Sequence, residues 1–97
     1  MRHEIVLAPE AVDDLRRLSA RQRTLVQAGL ERHLRYQPTE VSRSRIKRLR
    51  GITNPDYRLR MGDFRVFYTV DEHRQCVHVL RVLHKNQTID YYKEIQS

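Results

Sequence analysis

Apolar residues recur at helical spacing through the first third of the chain. Before them, the short and partly β-branched stretch Arg2–Leu7 predicts an opening strand. Pro9 suits the first turn of a helix, because that turn leaves its N–H groups unused. The apolar positions of this helix are Ala11, Val12, Leu15 and Leu18. Ser19 and Gln22 form a capping-box signal for a second helix, which Pro38 closes. The apolar positions of the second helix are Leu25, Val26, Leu30 and Leu34.

The second half of the chain alternates between apolar and polar residues, which is the period of a β-strand. Two such runs, Tyr57–Met61 and Phe64–Val70, flank Gly62-Asp63, a two-residue hairpin signal with glycine in the first loop position. A third run spans Cys76–Leu83, and residues 86–97 fit a short helix or an irregular end. We therefore expect an α+β fold in one domain, residues 1–97. In it an N-terminal strand and a helical hairpin pack on one face of a small, mainly antiparallel sheet.

With Gly62-Asp63 as the loop, side-chain alternation sets the register of the hairpin. The apolar face, expected beneath the helices, comprises the pairs Met61–Phe64, Leu59–Val66 and Tyr57–Tyr68. The opposite face pairs Arg60 with Arg65 and Arg58 with Phe67. Like charges directly opposite each other destabilise a sheet, so this face is better explained by binding than by folding. If Val70 pairs with Cys76, the next strand brings Arg81 beside Arg65 on the same face.

The composition is that of a small globular protein, with 97 residues, 39% apolar and 32% charged. No apolar run is long enough for a membrane span or a signal peptide. Cys76 is the only cysteine. We therefore expect no internal disulfide, a cytoplasmic location and no membrane association. The five histidines are dispersed without ligand spacing, so we expect neither a metal site nor a cofactor.

The net charge of +7 is concentrated in the middle of the chain. The stretch from Arg43 to Arg65 holds eight Lys or Arg residues against Asp56 and Asp63 alone, whereas the flanking segments are nearly balanced. A scattered charge run is usually a solvated face. Concentration into one segment favours a site for a polyanion, of which nucleic acid is the commonest.

Arginine and aromatic side chains together are typical of surfaces that bind single-stranded RNA. The alternative is that these long side chains splay into solvent. The candidate RNA-binding residues are Arg43, Arg45, Lys47, Arg48, Arg50, Phe67 and Arg81. His84 and Lys85 follow at the strand end, with Tyr91 and Tyr92 a few residues on. These residue types supply proton transfer and base stacking.

The order and spacing of several motifs resemble the RelE/ParE superfamily, the toxins of type II toxin–antitoxin pairs. Lys47-Arg48-Leu49-Arg50-Gly51 is similar to the family's K-x-L-x-G. Residues 57–68, YRLRMGDFRVFY, are similar to its Y-R-L-R-x-G-D-Y-R-V-x-Y core. Leu83-His84-Lys85 stands where many members have Gly-His-Arg. The resemblance covers nearly the whole chain and implies the RelE-like fold.

The resemblance to RelE-type members implies a ribosome-dependent endonuclease that cuts mRNA in the ribosomal A site without a metal. The 2′-hydroxyl attacks the adjacent phosphate, and basic side chains act as base, acid and charge stabiliser. By position, Arg58 and Arg60 match the family's paired Lys/Arg, and Arg65 matches the arginine that stabilises the phosphorane. Lys85 matches the general acid, and Tyr91 matches the aromatic that orients the substrate, with Tyr92 as the alternative.

Two residues depart from that pattern. Arg60 stands where the best-known enzymes have a lysine as base, and a guanidinium is rarely deprotonated at neutral pH. Lys85 stands where the family usually has an arginine, so a single ammonium replaces a guanidinium that can donate two parallel hydrogen bonds. An alternative gives proton transfer to His84 or Lys85 and leaves the arginines to stabilise charge. His84 has a second interpretation, as a strand-end histidine with only a local hydrogen bond.

Two other functions share this scaffold. One is a ParE-type toxin that acts on DNA gyrase without cutting RNA, and the other is an inactive member that only binds its antitoxin. The resemblance implies, as partners, a cognate antitoxin that is RelB-like, acidic and partly helical, together with the ribosome and mRNA.

Overall fold

The structure, a computed structural model that describes residues 2–96, combines a five-stranded sheet with three helices. In chain order the elements are β1 (Glu4–Leu7), α1 (Pro9–Arg16), α2 (Ala20–Leu34), β2 (Ile46–Arg48), β3 (Tyr57–Met61), β4 (Phe64–Asp71), β5 (Cys76–His84), a 3₁₀ turn (Lys85–Gln87) and α3 (Thr88–Gln96). The strands are arranged β1-β5-β4-β3-β2. β1 runs parallel to β5, and every other pair is antiparallel. The predicted α+β fold is confirmed.

The helical hairpin begins and turns where the local sequence signals place it. Pro9 occupies the first turn of α1. Ser19 Oγ accepts a hydrogen bond from the Gln22 N–H, and Gln22 Oε1 accepts one from the Ser19 N–H, which completes the capping box. α2 ends at Leu34, four residues before the proline expected to close it. Leu25, expected on the apolar side of α2, is 63% exposed, because the buried stripe of this helix follows i, i+4 spacing from the next residue.

The β3–β4 hairpin has the predicted register at all five residue pairs, including Arg60 opposite Arg65 and Arg58 opposite Phe67. Gly62 has a φ of 56°, and it is the glycine expected in the first loop position. A positive φ at that position and not at the following one is the pattern of a type II′ turn, whose twist suits a two-residue hairpin. This turn places the two arginines on neighbouring strands.

The predicted register between β4 and β5 is wrong. Cys76 pairs with Asp71 and not with Val70, and a bulge between Phe67 and Tyr68 shifts the pairing again. As a result Leu83 lies opposite Arg65, and Arg81 lies opposite Phe67. A bulge places an extra residue on one strand and re-aims the side chains beyond it.

Both faces of the sheet are covered, which the sequence left open. α1 and α2 pack on one face over a core that includes Leu30, Leu34, Leu59 and Tyr68. The C-terminal segment forms α3, and a second, smaller core lies beneath it, consisting of Leu49, Phe67, Leu83 and Tyr91 with Ile52, Tyr92 and Ile95 packed against it. This second core supports the basic face.

Candidate nucleic-acid interface

The floor of the basic face is aromatic and buried. The ring of Tyr91 lies 4.8 Å from that of Phe67, and Tyr91 is only 7% exposed. Phe67 is fully buried, which corrects the expectation that it offers an open stacking surface to RNA. Tyr91 likewise has little surface for a substrate, and burial raises its pKa to about 12. Both side chains are covered because α3 packs on the face that the sequence pattern left open.

Tyr92 is the aromatic residue at the edge of this core. Its ring stands edge-on to Phe67 at 5.5 Å, and the side chain is half-buried. Burial raises the pKa of Tyr92, whereas the charges of Arg58 and Arg65 act to lower it. Tyr92 therefore lies within electrostatic reach of two cations of the basic face. Helical spacing could not separate the two tyrosines, because Ile95 is four residues from Tyr91 and three from Tyr92.

An open groove of about 680 Å³ runs between α3 and the β2–β3 edge of the sheet. Its lining consists of Lys47, Leu49, Arg50, Ile52, Arg58, Tyr92 and Gln96. Lys47 lies directly opposite Arg58 on the neighbouring strand, so the cations stand in a cross-strand pair. The Nε atom of Arg58 is buried and has no hydrogen-bond partner within the described chain. The groove thus joins three cations to one aromatic ring.

Arg60 and Arg65 extend the basic face to the hairpin turn. Nη1 of Arg65 donates to the carbonyl oxygens of Gly62 and Phe64, at 2.8 and 2.9 Å, which holds the guanidinium against its own turn. Burial, followed by the charges of Arg60 and Arg58, lowers the pKa of Arg65. Arg60 itself is exposed. The guanidinium groups of Arg58, Arg60 and Arg65 repel one another, and a bound anion would reduce that repulsion.

His84 and Lys85 end β5 beside the same turn. The Lys85 N–H donates to the carbonyl of Asp63 at 2.7 Å, and Lys85 Nζ lies 3.4 Å from Asp63 Oδ1. His84 pairs with Phe64 across the sheet, and its Nδ1 accepts a hydrogen bond from the Asn86 N–H at 3.2 Å. The local bond proposed for His84 is therefore present. In this arrangement Nε2 carries the ring proton.

Arg81 was expected beside Arg65 as an RNA-binding residue, and that placement is wrong. Its Nε and Nη2 donate to the carboxylate of Asp14 in α1, at 2.8 and 3.0 Å. The Asp14 carboxylate also accepts from the Val82 N–H at 2.9 Å. A one-residue shift in the β4–β5 register and the bulge in β5 together move Arg81 two pairs along β4, where its charge is already neutralised by a buried carboxylate.

The remaining basic candidates divide between the two faces of the sheet. Arg48 donates to the hydroxyl of Tyr57 at 3.0 Å and lies over that ring, so it belongs to the helical-hairpin side. Arg45 lines a cavity with His33 at the end of α2. Arg43 is exposed in the loop before β2. The structure thus brings Lys47, Arg50 and Arg58 together with Tyr92 in the groove and places Arg60 and Arg65 at the hairpin end of the same face. It separates Arg43, Arg45, Arg48 and Arg81 from them.

Ion pairing differs sharply between the basic segment and the rest of the chain. Six cations outside it form ion pairs with carboxylates, namely Arg16, Arg17, Arg35, Arg74, Arg81 and Lys85. Within residues 2–96, none of the eight Lys and Arg residues between Arg43 and Arg65 forms a carboxylate ion pair. The positive charge of this segment is therefore available to an external anion.

Two further features bear on the kind of site. In the part of the chain from residue 2 to residue 96, no group of three or more His, Cys, Asp or Glu side chains is placed to hold a metal ion. None of the described helices has the length and apolar character needed to cross a membrane.

Comparison with solved structures finds this fold in toxins of toxin–antitoxin systems. A chain of the RelBE2 toxin–antitoxin complex from Mycobacterium tuberculosis is 26% identical, with a TM-score of 0.70, and the match covers 87% of this chain and 99% of that one. A chain of the archaeal RelE–RelB complex from Pyrococcus horikoshii is 23% identical, with a TM-score of 0.71. The match covers 90% of this chain and 99% of that one. An arginine-to-alanine double mutant of the Escherichia coli toxin RelE in the free state is 22% identical, with a TM-score of 0.73. The match covers 98% of this chain and 95% of that one. A search among curated protein sequences finds no significant match.

A protein with this fold and an unpaired basic face falls in the RelE-like class of toxins. Residues 5–89 match the family described as the ParE toxin of type II toxin–antitoxin systems, parDE. The match spans most of the chain, and the protein belongs to this family within the RelE/ParE superfamily. It is the toxin member of a type II toxin–antitoxin system.

Proposed function

We propose that this toxin is a ribosome-dependent, metal-independent mRNA endonuclease that inhibits translation. The observation that carries the proposal is the set of cations beside Tyr92 that form no carboxylate ion pair within residues 2–96, whereas six of the eleven Lys and Arg residues outside residues 43–65 form one. Unpaired guanidinium groups beside an aromatic ring bind the phosphates and bases of single-stranded RNA. The partners proposed on this basis are the ribosome and the mRNA in its A site.

The proposed reaction is an internal phosphoryl transfer. The 2′-oxygen of one nucleotide forms a bond to the adjacent phosphorus, and the bond from phosphorus to the 5′-oxygen of the next nucleotide breaks. The products are a 2′,3′-cyclic phosphate and a free 5′-hydroxyl, so one proton leaves the 2′-hydroxyl and one reaches the 5′-oxygen. Arg58, Arg60 and Arg65 stabilise the charge that develops on the phosphorane oxygens.

Protonation of the leaving group falls to Lys85, directly after β5. Guanidinium groups stay protonated at neutral pH, which leaves Arg60 to stabilise charge. Lys85 supplies the proton for the leaving 5′-oxygen, and Asp63 holds its ammonium beside the turn that carries Arg65. The His84 ring lies edge-on to Phe64 and lines a cavity on the helical-hairpin side of the sheet, so the proton of the 2′-hydroxyl passes to solvent and not to His84. Tyr92 takes over the substrate-orienting role first assigned to Tyr91, because it is the ring at the edge of the groove.

A second candidate is inhibition of DNA gyrase. The family whose description fits this chain is ParE, which favours a target other than the ribosome. In that case the same face binds protein or DNA and no RNA is cut. The third candidate, a toxin that only binds its antitoxin, predicts neither activity.

The proposed neutralising partner is a cognate antitoxin. The structural relatives from Mycobacterium tuberculosis and Pyrococcus horikoshii are toxin–antitoxin and RelE–RelB complexes. By analogy, an acidic and partly helical segment covers the helical hairpin and the basic face. An acidic segment would supply carboxylate partners for the cations of residues 43–65, which form no ion pairs within the described chain.

Translation of a defined mRNA with purified ribosomes, followed by primer extension, tests the proposal. We expect breaks within the A-site codon, reduced by a factor of about 100 or more in Arg65→Ala, since removal of one stabiliser of transition-state charge has effects of that size. Arg21→Ala is the matched control, because Arg21 is exposed on α2, remote from the groove, and its removal changes the net charge equally. Intact mRNA together with inhibited gyrase supercoiling would replace the nuclease by the second candidate.

A further inference from the structure

A second basic cavity lies on the opposite side of the sheet from the groove. It has a volume of about 300 Å³ and lies between the end of α2 and the start of β2. Arg32, His33 and Arg45 line it, together with Tyr36 and Glu40. Buried Ile46 closes its base. No residue that the proposed cleavage reaction uses contributes to this lining.

The charges in this cavity are poorly balanced. Burial lowers the pKa of His33, and the charges of Arg45 and Arg32 lower it further. Glu40 lines the same cavity, but in the described structure it makes no ion pair with either arginine. The C-terminal end of a helix dipole repels anions. Attraction for an anion therefore comes from the two arginines and not from the end of α2.

The position of β2 connects this cavity with the groove. β2 is the last strand of the sheet, so no further strand covers its outer edge. Arg45 and Lys47 stand on either side of Ile46 in the chain. Arg45 contributes to the cavity on the helical-hairpin side, and Lys47 contributes to the groove on the α3 side. An extended polyanion that leaves the groove at Lys47 meets Arg45 as it passes round the edge.

We propose that the Arg32–His33–Arg45 cavity binds a backbone phosphate of the RNA strand whose neighbouring nucleotides occupy the groove. The inference rests on the proposed RNA substrate and adds a site outside the reacting nucleotides. Two guanidinium forks suit the oxygens of a phosphodiester, and Ser42 lines the same cavity as a further hydroxyl group. Continuity with the groove round the β2 edge favours RNA over an acidic peptide as the occupant.

The experiment follows the ring proton signals of His33 by NMR as pH is varied, in the free protein and with three probes. The probes are inorganic phosphate, a short single-stranded oligoribonucleotide and polyglutamate. A bound anion stabilises the imidazolium, so we expect the oligoribonucleotide to raise the pKa of His33. His73, exposed in the loop after β4, is the internal control, and its ring signals should stay unchanged by the probe.

Arg45→Gln keeps a polar side chain with N–H donors and removes its charge. We expect this variant to abolish the response of His33 to RNA and to reduce the salt dependence of RNA binding by about 0.7 in log–log slope, the value for one phosphate contact on a single strand. A silent His33, or one that responds only to inorganic phosphate or polyglutamate, overturns the proposal. If the protein cuts mRNA but the pKa of His33 does not respond to RNA, the proposed nuclease activity stands and the proposed phosphate site is wrong. If the pKa of His33 responds to RNA but the protein does not cut mRNA, the phosphate site stands and the proposed nuclease activity is wrong.

Discussion

The guanidinium of Arg81 and the carboxylate of Asp14 form a two-point contact between β5 and α1, at 2.8 and 3.0 Å. The Asp14 side chain is only 4% exposed, and that of Arg81 is 25% exposed. Because Asp14 also accepts the Val82 N–H, it satisfies the backbone of β5 next to the bulge. This contact fastens the helical hairpin to the strand that leads to His84 and Lys85.

Asp14→Ala should destabilise the fold through this contact. The substitution leaves the Arg81 charge and the Val82 N–H without their partner, and removing one member of such a pair costs about 2–4 kcal/mol. Urea denaturation followed by circular dichroism measures the change in the free energy of unfolding. Asp13→Ala is the matched control, because Asp13 pairs with Arg16 at the surface and should change stability by less than about 0.5 kcal/mol. Equal effects of the two variants would contradict the role given to Asp14.

Substitution of Tyr91 should mainly lower the stability of the fold, whereas substitution of Tyr92 should mainly lower the cleavage activity. Tyr91→Ala removes a buried ring from the second core and should cost about 3–5 kcal/mol in unfolding free energy. Tyr92→Ala removes the ring at the groove edge and should lower A-site cleavage about tenfold or more, since stacking of one base on an aromatic ring contributes about 1–3 kcal/mol. Paired denaturation and cleavage measurements check both effects. Normal cleavage by Tyr92→Ala would return the substrate-orienting role to another residue.

Stability should fall at alkaline pH because of the buried tyrosines. Burial raises the pKa of Tyr91 to about 12 in the folded state, whereas an unfolded tyrosine ionises near pH 10. Its contribution to stability is therefore complete below pH 10 and is lost as the pH rises through 12. Between pH 9 and 11 the wild type should lose about 1 kcal/mol more than Tyr91→Phe. Tyr36→Phe, at a ring 62% exposed, is the control and should follow the wild type.

The groove should bind RNA through phosphate contacts. Lys47→Ala combined with Arg50→Ala removes two of its cations. We expect the log–log slope of affinity against salt concentration to become less negative by about 1.4, at roughly 0.7 for each phosphate contact. Fluorescence anisotropy of a labelled oligoribonucleotide across a salt series gives both slopes. An unchanged slope, with Arg21→Ala as the reference, would show that neither side chain contacts phosphate.

Local signals in the sequence were sufficient for much of the fold. The capping box at Ser19 and the glycine turn at Gly62 each depend on residues close in the chain, and both are present as predicted. The register of the β3–β4 hairpin followed from that turn, because a slip of one residue would have mixed core with charge. Arg60 opposite Arg65 was therefore predictable.

The rest depended on contacts that sequence spacing does not show. Neither the register shift at Cys76 nor the bulge in β5 is marked by a distinctive residue, so the placement of Arg81 was wrong. The role of Asp14 could not be predicted from local spacing, because its partner Arg81 lies 67 residues away in the chain. Phe67 was expected to be open because the segment that covers it forms a helix only nine residues long, with few apolar positions.

The groove is assembled from parts that are made at different times. Its cations lie in β2, β3 and the loop between them, but its aromatic edge, Tyr92, lies in α3. A growing chain that has emerged only as far as Lys85 therefore carries the charges without the ring, and it leaves Phe67 uncovered. On this ordering, the groove that the proposed cleavage would use is complete only after α3 has been synthesised and has packed on the sheet.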